Sequence, residues 1–200
     1  EGVPAMRTGR LEAFSDGVLA IIITIMVLEL HRPEGEHFSD LADSVPGLLG
    51  YLISFVYIGI YWNNHHHLLQ ITQRVNGRVL WANLLLLFSL SLIPFTTAWL
   101  EEAHFARDPV IAYGVNLFAA GLCYFVLYRA ILACDGPDSH VARAITSDVK
   151  ERLSLVLYAL GIGLAFVQPL LGVAPFVAVA VMWLIPDTRL ERYIAAHSLA

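Results

Sequence analysis

Ser44–Gln73, Val79–Leu100, Pro109–Tyr128 and Leu153–Pro186 contain no Asp, Glu, Lys or Arg. About 20 mostly apolar residues suffice for a helix to cross the hydrocarbon core of a bilayer, and each run reaches that length. No water is present there to bond the backbone, so such a segment must satisfy its own amide groups, as a helix does. Composition points the same way. Hydrophobic residues make up 58% of the chain and charged residues 14%, against about 25% charged in an ordinary soluble domain. Disorder is excluded by the high hydrophobicity. A nucleic-acid binder is excluded by charge, since 12 Lys+Arg face 17 Asp+Glu, a net −5, and the basic footprint such proteins need is missing.

Gly17–Leu28 is a further uncharged run that reaches spanning length when Leu11–Asp16 is added. Leu153–Pro186 is 34 residues long, about 50 Å as a helix and too long for one crossing. Gln168-Pro169 and the Gly172–Pro175 stretch divide it in two. The expected fold is therefore all-α, with six transmembrane helices at about 9–30, 46–70, 78–101, 109–133, 148–170 and 174–193. The native chain is expected to start at Met6, so one transmembrane domain covers 6–200. Cys123 and Cys134 fall in one predicted helix, about 16 Å apart along its axis and too far for a disulfide.

Orientation follows from Lys and Arg, which concentrate on the cytoplasmic side. With the N-terminus inside, that side holds Arg7, Arg10, Arg74, Arg78, Arg129, Arg143, Lys150, Arg152, Arg189 and Arg192, and the other holds only Arg32 and Arg107. The outer loops are acidic, with Glu34, Glu36, Asp40, Asp43, Glu101, Glu102 and Asp108. Both termini are expected in the cytoplasm and the protein in the cell membrane. All loops are short, so its chemistry lies within the bilayer.

Neither a Gly-rich phosphate loop nor a His-Glu-x-x-His pattern occurs, and no catalytic residue is assigned. His65, His66 and His67 are consecutive, and side chains about 100° apart round a helix do not converge on one ion. No structural metal and no cofactor are expected. Asp16 draws attention because it lies about 7 Å inside the first apolar stretch, where a charge is costly and is usually paired or functional. Asn63, His66 and His67 end the second span at similar depth, and Trp81 and Asn83 open the third. A polar layer joining Ser15, Asp16, Asn63, a histidine and Asn83 is expected. Its bonds are worth about 1 kcal/mol each in lipid. A structural clamp is the favoured role, with a proton relay as the alternative.

Arg10, Phe14, Ser15 and Asp16 form Arg-x-x-x-Phe-Ser-Asp at the start of the first span. With Tyr61-Trp62-x-Asn64-His65-His66 and Leu92-Ile93-Pro94-Phe95-Thr96, this pattern resembles the transmembrane protein 175 family of potassium channels, over essentially the whole chain. A single six-helix unit looks like the prokaryotic form. The resemblance implies a homotetramer, a pore lined by the first helix, and a hydrophobic constriction after the motif, at Ile21. Helical spacing extends that point into a stripe of Ile21, Thr24, Ile25 and Leu28 at i, i+3, i+4 and i+7. Asp16 lies about 140° from Ile21 round the helix, behind that stripe.

The reading is a potassium-selective channel, not an enzyme, working by passive conduction. Its partners are the lipid bilayer, identical subunits and permeant cations. Potassium is the permeant species, held transiently near Thr24, the only hydroxyl on the stripe. The competing reading is a proton-coupled or solute transporter using Asp16 and the second-helix histidines as a relay. A membrane metalloenzyme is a third reading, disfavoured by the histidine geometry.

Overall fold

A computed structural model of the chain describes residues 8–33, 35–144 and 148–184. The C-terminal part of the expected last span, up to residue 193, lies outside the described residues, as do Met6, Arg7, Glu34, Arg189 and Arg192. The described chain is helical: α1 (Thr8–Leu28), a short 3-10 turn (Phe38–Ser44), α2 (Val45–Gln70), α3 (Gly77–Ser91), α4 (Ile93–Glu102), α5 (Arg107–Asp135), α6 (His140–Ala144), α7 (Val149–Ala165) and α8 (Pro169–Leu184). Among the described residues, four segments have the length and apolar character to cross a membrane: Thr8–Leu28, Phe38–Gln70, Gly77–Glu102 and Arg107–Asp135. The protein is an all-α, multi-pass membrane protein.

The expected third span contains two helices, α3 and α4, with a break at Leu92. Pro94 causes it. Proline has no N–H to give the preceding turn, and its ring crowds the carbonyl four residues back. Thr97 Oγ1 donates to the Ile93 carbonyl at 2.7 Å and Thr96 Oγ1 to the Leu92 carbonyl at 3.2 Å. The Leu92 carbonyl also accepts from Thr96 N at 3.1 Å, so these hydroxyls add a second donor beside the break.

α7 and α8 are joined by a turn at Phe166–Gln168, and Pro169 opens α8. The two helices approach through glycine. A Cβ at Gly161 would lie 2.7 Å from the Gly172 carbonyl oxygen, and one at Gly172 would lie 2.8 Å from that of Gly161. Small residues at such a crossing let backbones pack where lipid gives no hydrophobic drive for helix association.

α5 packs against α3, α4 and α7, and α8 packs on α7 and α2. Phe176 is fully buried, with its ring near those of Tyr113 and Tyr158. Tyr57 Oη donates to the Phe176 carbonyl at 2.6 Å. Buried Ser54 bonds both Thr97, at 2.7 Å, and Tyr113, at 3.0 Å. α1 has different neighbours, namely α2, α3 and α4.

Candidate pore-lining helix and its polar anchor

α1 is apolar on two faces, and the protomer covers only one. Leu11, Ser15, Leu19, Ile22 and Met26 are buried, spaced four, four, three and four residues apart as one face of a helix requires. The other face is open. Ile21 is 60% exposed, Ile25 42% and Leu28 76%. Thr24 and Gly17 are exposed with them, and Phe14 continues the same side toward the N-terminal end. The Thr24 hydroxyl donates to the Ala20 carbonyl at 2.9 Å. Its proton is engaged along the helix, so the oxygen lone pairs are what it offers outward.

Polar contacts fix the buried face near the start of α1. Asn83 on α3 is fully buried, as is Ser15. Asn83 Nδ2 donates to Ser15 Oγ at 3.0 Å, and Ser15 Oγ donates to the Leu11 carbonyl at 2.8 Å. His65 Nε2 lies 2.7 Å from Asn83 Oδ1. A carboxamide oxygen only accepts, so His65 carries a proton on Nε2, the ring nitrogen opposite Nδ1. That Nδ1 is buried and has no hydrogen-bond partner. One asparagine thus joins three helices.

Two further contacts flank this chain. Trp62 Nε1 donates to Asp16 Oδ1 at 3.1 Å. His66 Nδ1 lies 2.8 Å from Glu12 Oε1. The Trp62 and His66 rings stack, with centroids 5.9 Å apart and planes at 17°. α1 is therefore held to α2 by a carboxylate on each side of Ser15. Beyond the C-terminal end of α1, His31 Nδ1 sits 3.6 Å from Glu101 Oε1 at the end of α4.

Local sequence sets up this geometry. Asn76 caps α3, its side chain accepting from Arg78 N at 3.0 Å and Val79 N at 3.1 Å. Asp135, at the end of α5, accepts from Gln73 N at 2.9 Å and Arg74 N at 2.7 Å. The turn between α2 and α3 is thereby fastened, which fixes the register between His65 and Asn83.

The structure brings Ser15, Asp16, Trp62, His66 and Asn83 together. The histidine that reaches Asn83 is His65, which the sequence alone does not single out from its neighbours. Glu12, the partner of His66, has no signal beyond its place four residues before Asp16. Asn63 is half-buried and makes none of these bonds. Arg10, Phe14 and Trp81 are exposed, Trp81 to 75%. His67 lies beside His66, ring centroids 5.7 Å apart. His65 and His66 point to different partners, Asn83 and Glu12, and among the described residues no group of three His, Cys, Asp or Glu side chains is placed to hold a metal. Cys123 is buried and Cys134 half-buried, and neither is in a disulfide.

A multi-pass helical bundle whose first helix is anchored by polar bonds on one face and left bare and apolar on the other defines the class: an all-α integral membrane protein. Comparison with known proteins makes this specific. The sequence profile of the endosomal/lysosomal potassium channel TMEM175 matches residues 10–94. A potassium channel of Chryseobacterium sp. (strain P1-3) is 51% identical over 187 residues, covering 94% of this chain and 97% of that protein. A potassium channel of Streptomyces collinus is 32% identical over 181 residues, covering 84% and 87%. The crystal structure of a lysosomal potassium-selective channel TMEM175 homolog from Chamaesiphon minutus superposes with a TM-score of 0.76 at 32% identity, covering 89% of this chain and 96% of that one. The chain belongs to the TMEM175 channel family, in its single-repeat prokaryotic form.

Proposed function

We propose that this protein is a potassium-selective channel that conducts passively through a pore lined by α1. The observation that carries the proposal is the bare face of α1. Ile21, Thr24, Ile25 and Leu28 all point out of a protomer that pins the opposite face of the same helix with buried hydrogen bonds. A helix so firmly oriented presents the same stripe in every copy.

Four copies about an axis would turn those stripes into four rings, which a lone subunit does not have. Apolar rings at Ile21, Ile25 and Leu28 impede ions by dewetting and by opposing loss of hydration water. Thr24 places an oxygen among them for a partly hydrated potassium ion. This assembly has six spans per subunit and lies in the cell membrane with both termini cytoplasmic. The relatives' potassium-channel names and the shared fold support it, and the Lys and Arg asymmetry supports the orientation. The polar layer acts as a clamp behind the pore wall, without contacting the ion.

Single-channel recording in planar bilayers tests the proposal against a transporter. Discrete current steps with a reversal potential near that of potassium are expected. Current without steps, or flux that requires a proton gradient, would return Asp16 and the histidines to a relay role.

A further inference from the structure

At the outer end of α1 a groove of about 550 Å³ opens between Ile25 and Glu29 on one side and Phe95, Trp99 and Glu102 on the other. Phe95 is 66% exposed and stands with Trp99 at a ring separation of 6.3 Å, planes 36° apart. Within the protomer, and among the described residues, neither Glu29 nor Glu102 forms an ion pair, whereas neighbouring Glu101 is engaged by His31. An aromatic wall with two carboxylates at its rim fits a planar cation. A guanidinium stacks on aromatic faces and bonds carboxylates in pairs.

Two arginines lie on this side of the protein. Arg107 Nε is 2.9 Å from Asp108 Oδ1. Arg32 is exposed and has no carboxylate partner among the described residues. Arg32 follows α1 by four residues, Glu29 follows it directly, and Glu102 ends α4. Rotation about an axis normal to the membrane keeps heights unchanged, so Arg32 and the groove, both beside the C-terminal end of α1, recur at the same relative heights in every copy. The groove also shares Ile25 with the bare face of α1, so it is continuous with the surface that the tetramer would bring together.

We infer that the groove between α1 and α4 receives Arg32 of the partner subunit, which stacks on Phe95 and Trp99 and pairs with Glu29 and Glu102. This rests on the tetrameric reading above. Its consequence is a ring of four arginines around the outer mouth, each between two carboxylates just beyond Leu28, holding each α1 to the next subunit where the polar layer does not reach.

The test uses full-length chains with Cys123→Ala and Cys134→Ala. Chains carrying Arg32→Cys and chains carrying Glu102→Cys, with different tags, are co-expressed and treated with a short bismaleimide, and particle mass is measured by light scattering. A two-tag crosslinked dimer from the mixture supports the inference, since one chain of either kind has no second cysteine to reach. A four-subunit particle without that product overturns it while leaving the tetramer standing. A particle of any other size overturns both. Charge reversal gives an independent arm. Arg32→Glu should lower the tetramer fraction severalfold and Arg32→Glu with Glu102→Arg should restore it; an unchanged fraction in Arg32→Glu, or no recovery in the double variant, contradicts the pairing.

Discussion

Asp16 on α1 accepts a hydrogen bond from the indole of Trp62 on α2 at 3.1 Å. The carboxylate therefore faces a neighbouring helix, away from the stripe that carries Ile21. Asp16→Ala should leave the indole N–H unpaired and lower thermal stability or tetramer yield, by about 1 kcal/mol for a bond of this kind in a membrane protein. Assembled protein should keep its ion preference. A stable tetramer with no flux would make Asp16 part of the transport path.

Asn83 is the more consequential member of the layer because it serves two partners. Asn83→Leu removes the acceptor from His65 Nε2 and the donor to Ser15. Ser15 keeps its bond to the Leu11 carbonyl, but the buried His65 proton loses its partner, which costs about 1–3 kcal/mol. Melting temperature should fall more for Asn83→Leu than for Trp81→Leu, since Trp81 is 75% exposed. The reverse order would contradict the anchor.

The stripe on α1 makes separate predictions for gate and selectivity. Ile21→Asn should wet the constriction and raise potassium flux in liposomes several-fold. Thr24→Ala should reduce potassium-over-sodium preference more than total current, read as a shift in reversal potential under mixed ions. An unchanged reversal potential would remove Thr24 from selectivity.

Gly161 tests the far side of the bundle. A valine there would press against the Gly172 carbonyl, which a Cβ would approach to 2.7 Å. Gly161→Val should lower melting temperature by several degrees and leave the reversal potential alone, because α7 and α8 do not pack directly against the face of α1 that would line the pore. A selectivity change without loss of stability would count against this division of labour.

Much of the fold is legible in the sequence because a bilayer makes hydrophobic length decisive. α2 is expected at 46–70 and found at Val45–Gln70; α5 is expected at 109–133 and found at Arg107–Asp135. The break at Leu92 was less legible, since Pro94 sits in an uninterrupted apolar run and a single proline can also be absorbed as a kink. Within the polar layer, depth alone brings Asp16, Asn83 and the second-helix histidines to one level. Depth does not say which of three consecutive histidines turns inward. That depends on the rotation of α2, set by contacts such as Asp135 on the turn between α2 and α3, which are distant in sequence. Glu12 carries no signal in the sequence for a different reason: it lies near the start of the first apolar stretch, where a charge is ordinary, and only the fold sets His66 beside it.

The central claim, passive and potassium-selective conduction, is met most directly by a flux measurement. Purified protein in liposomes loaded with potassium and diluted into sodium should develop an inside-negative potential, driving uptake of a cationic dye, with no pH gradient imposed. Empty liposomes should show none. Protein-containing vesicles that stay silent until a proton gradient is applied would contradict the channel and favour a coupled transporter.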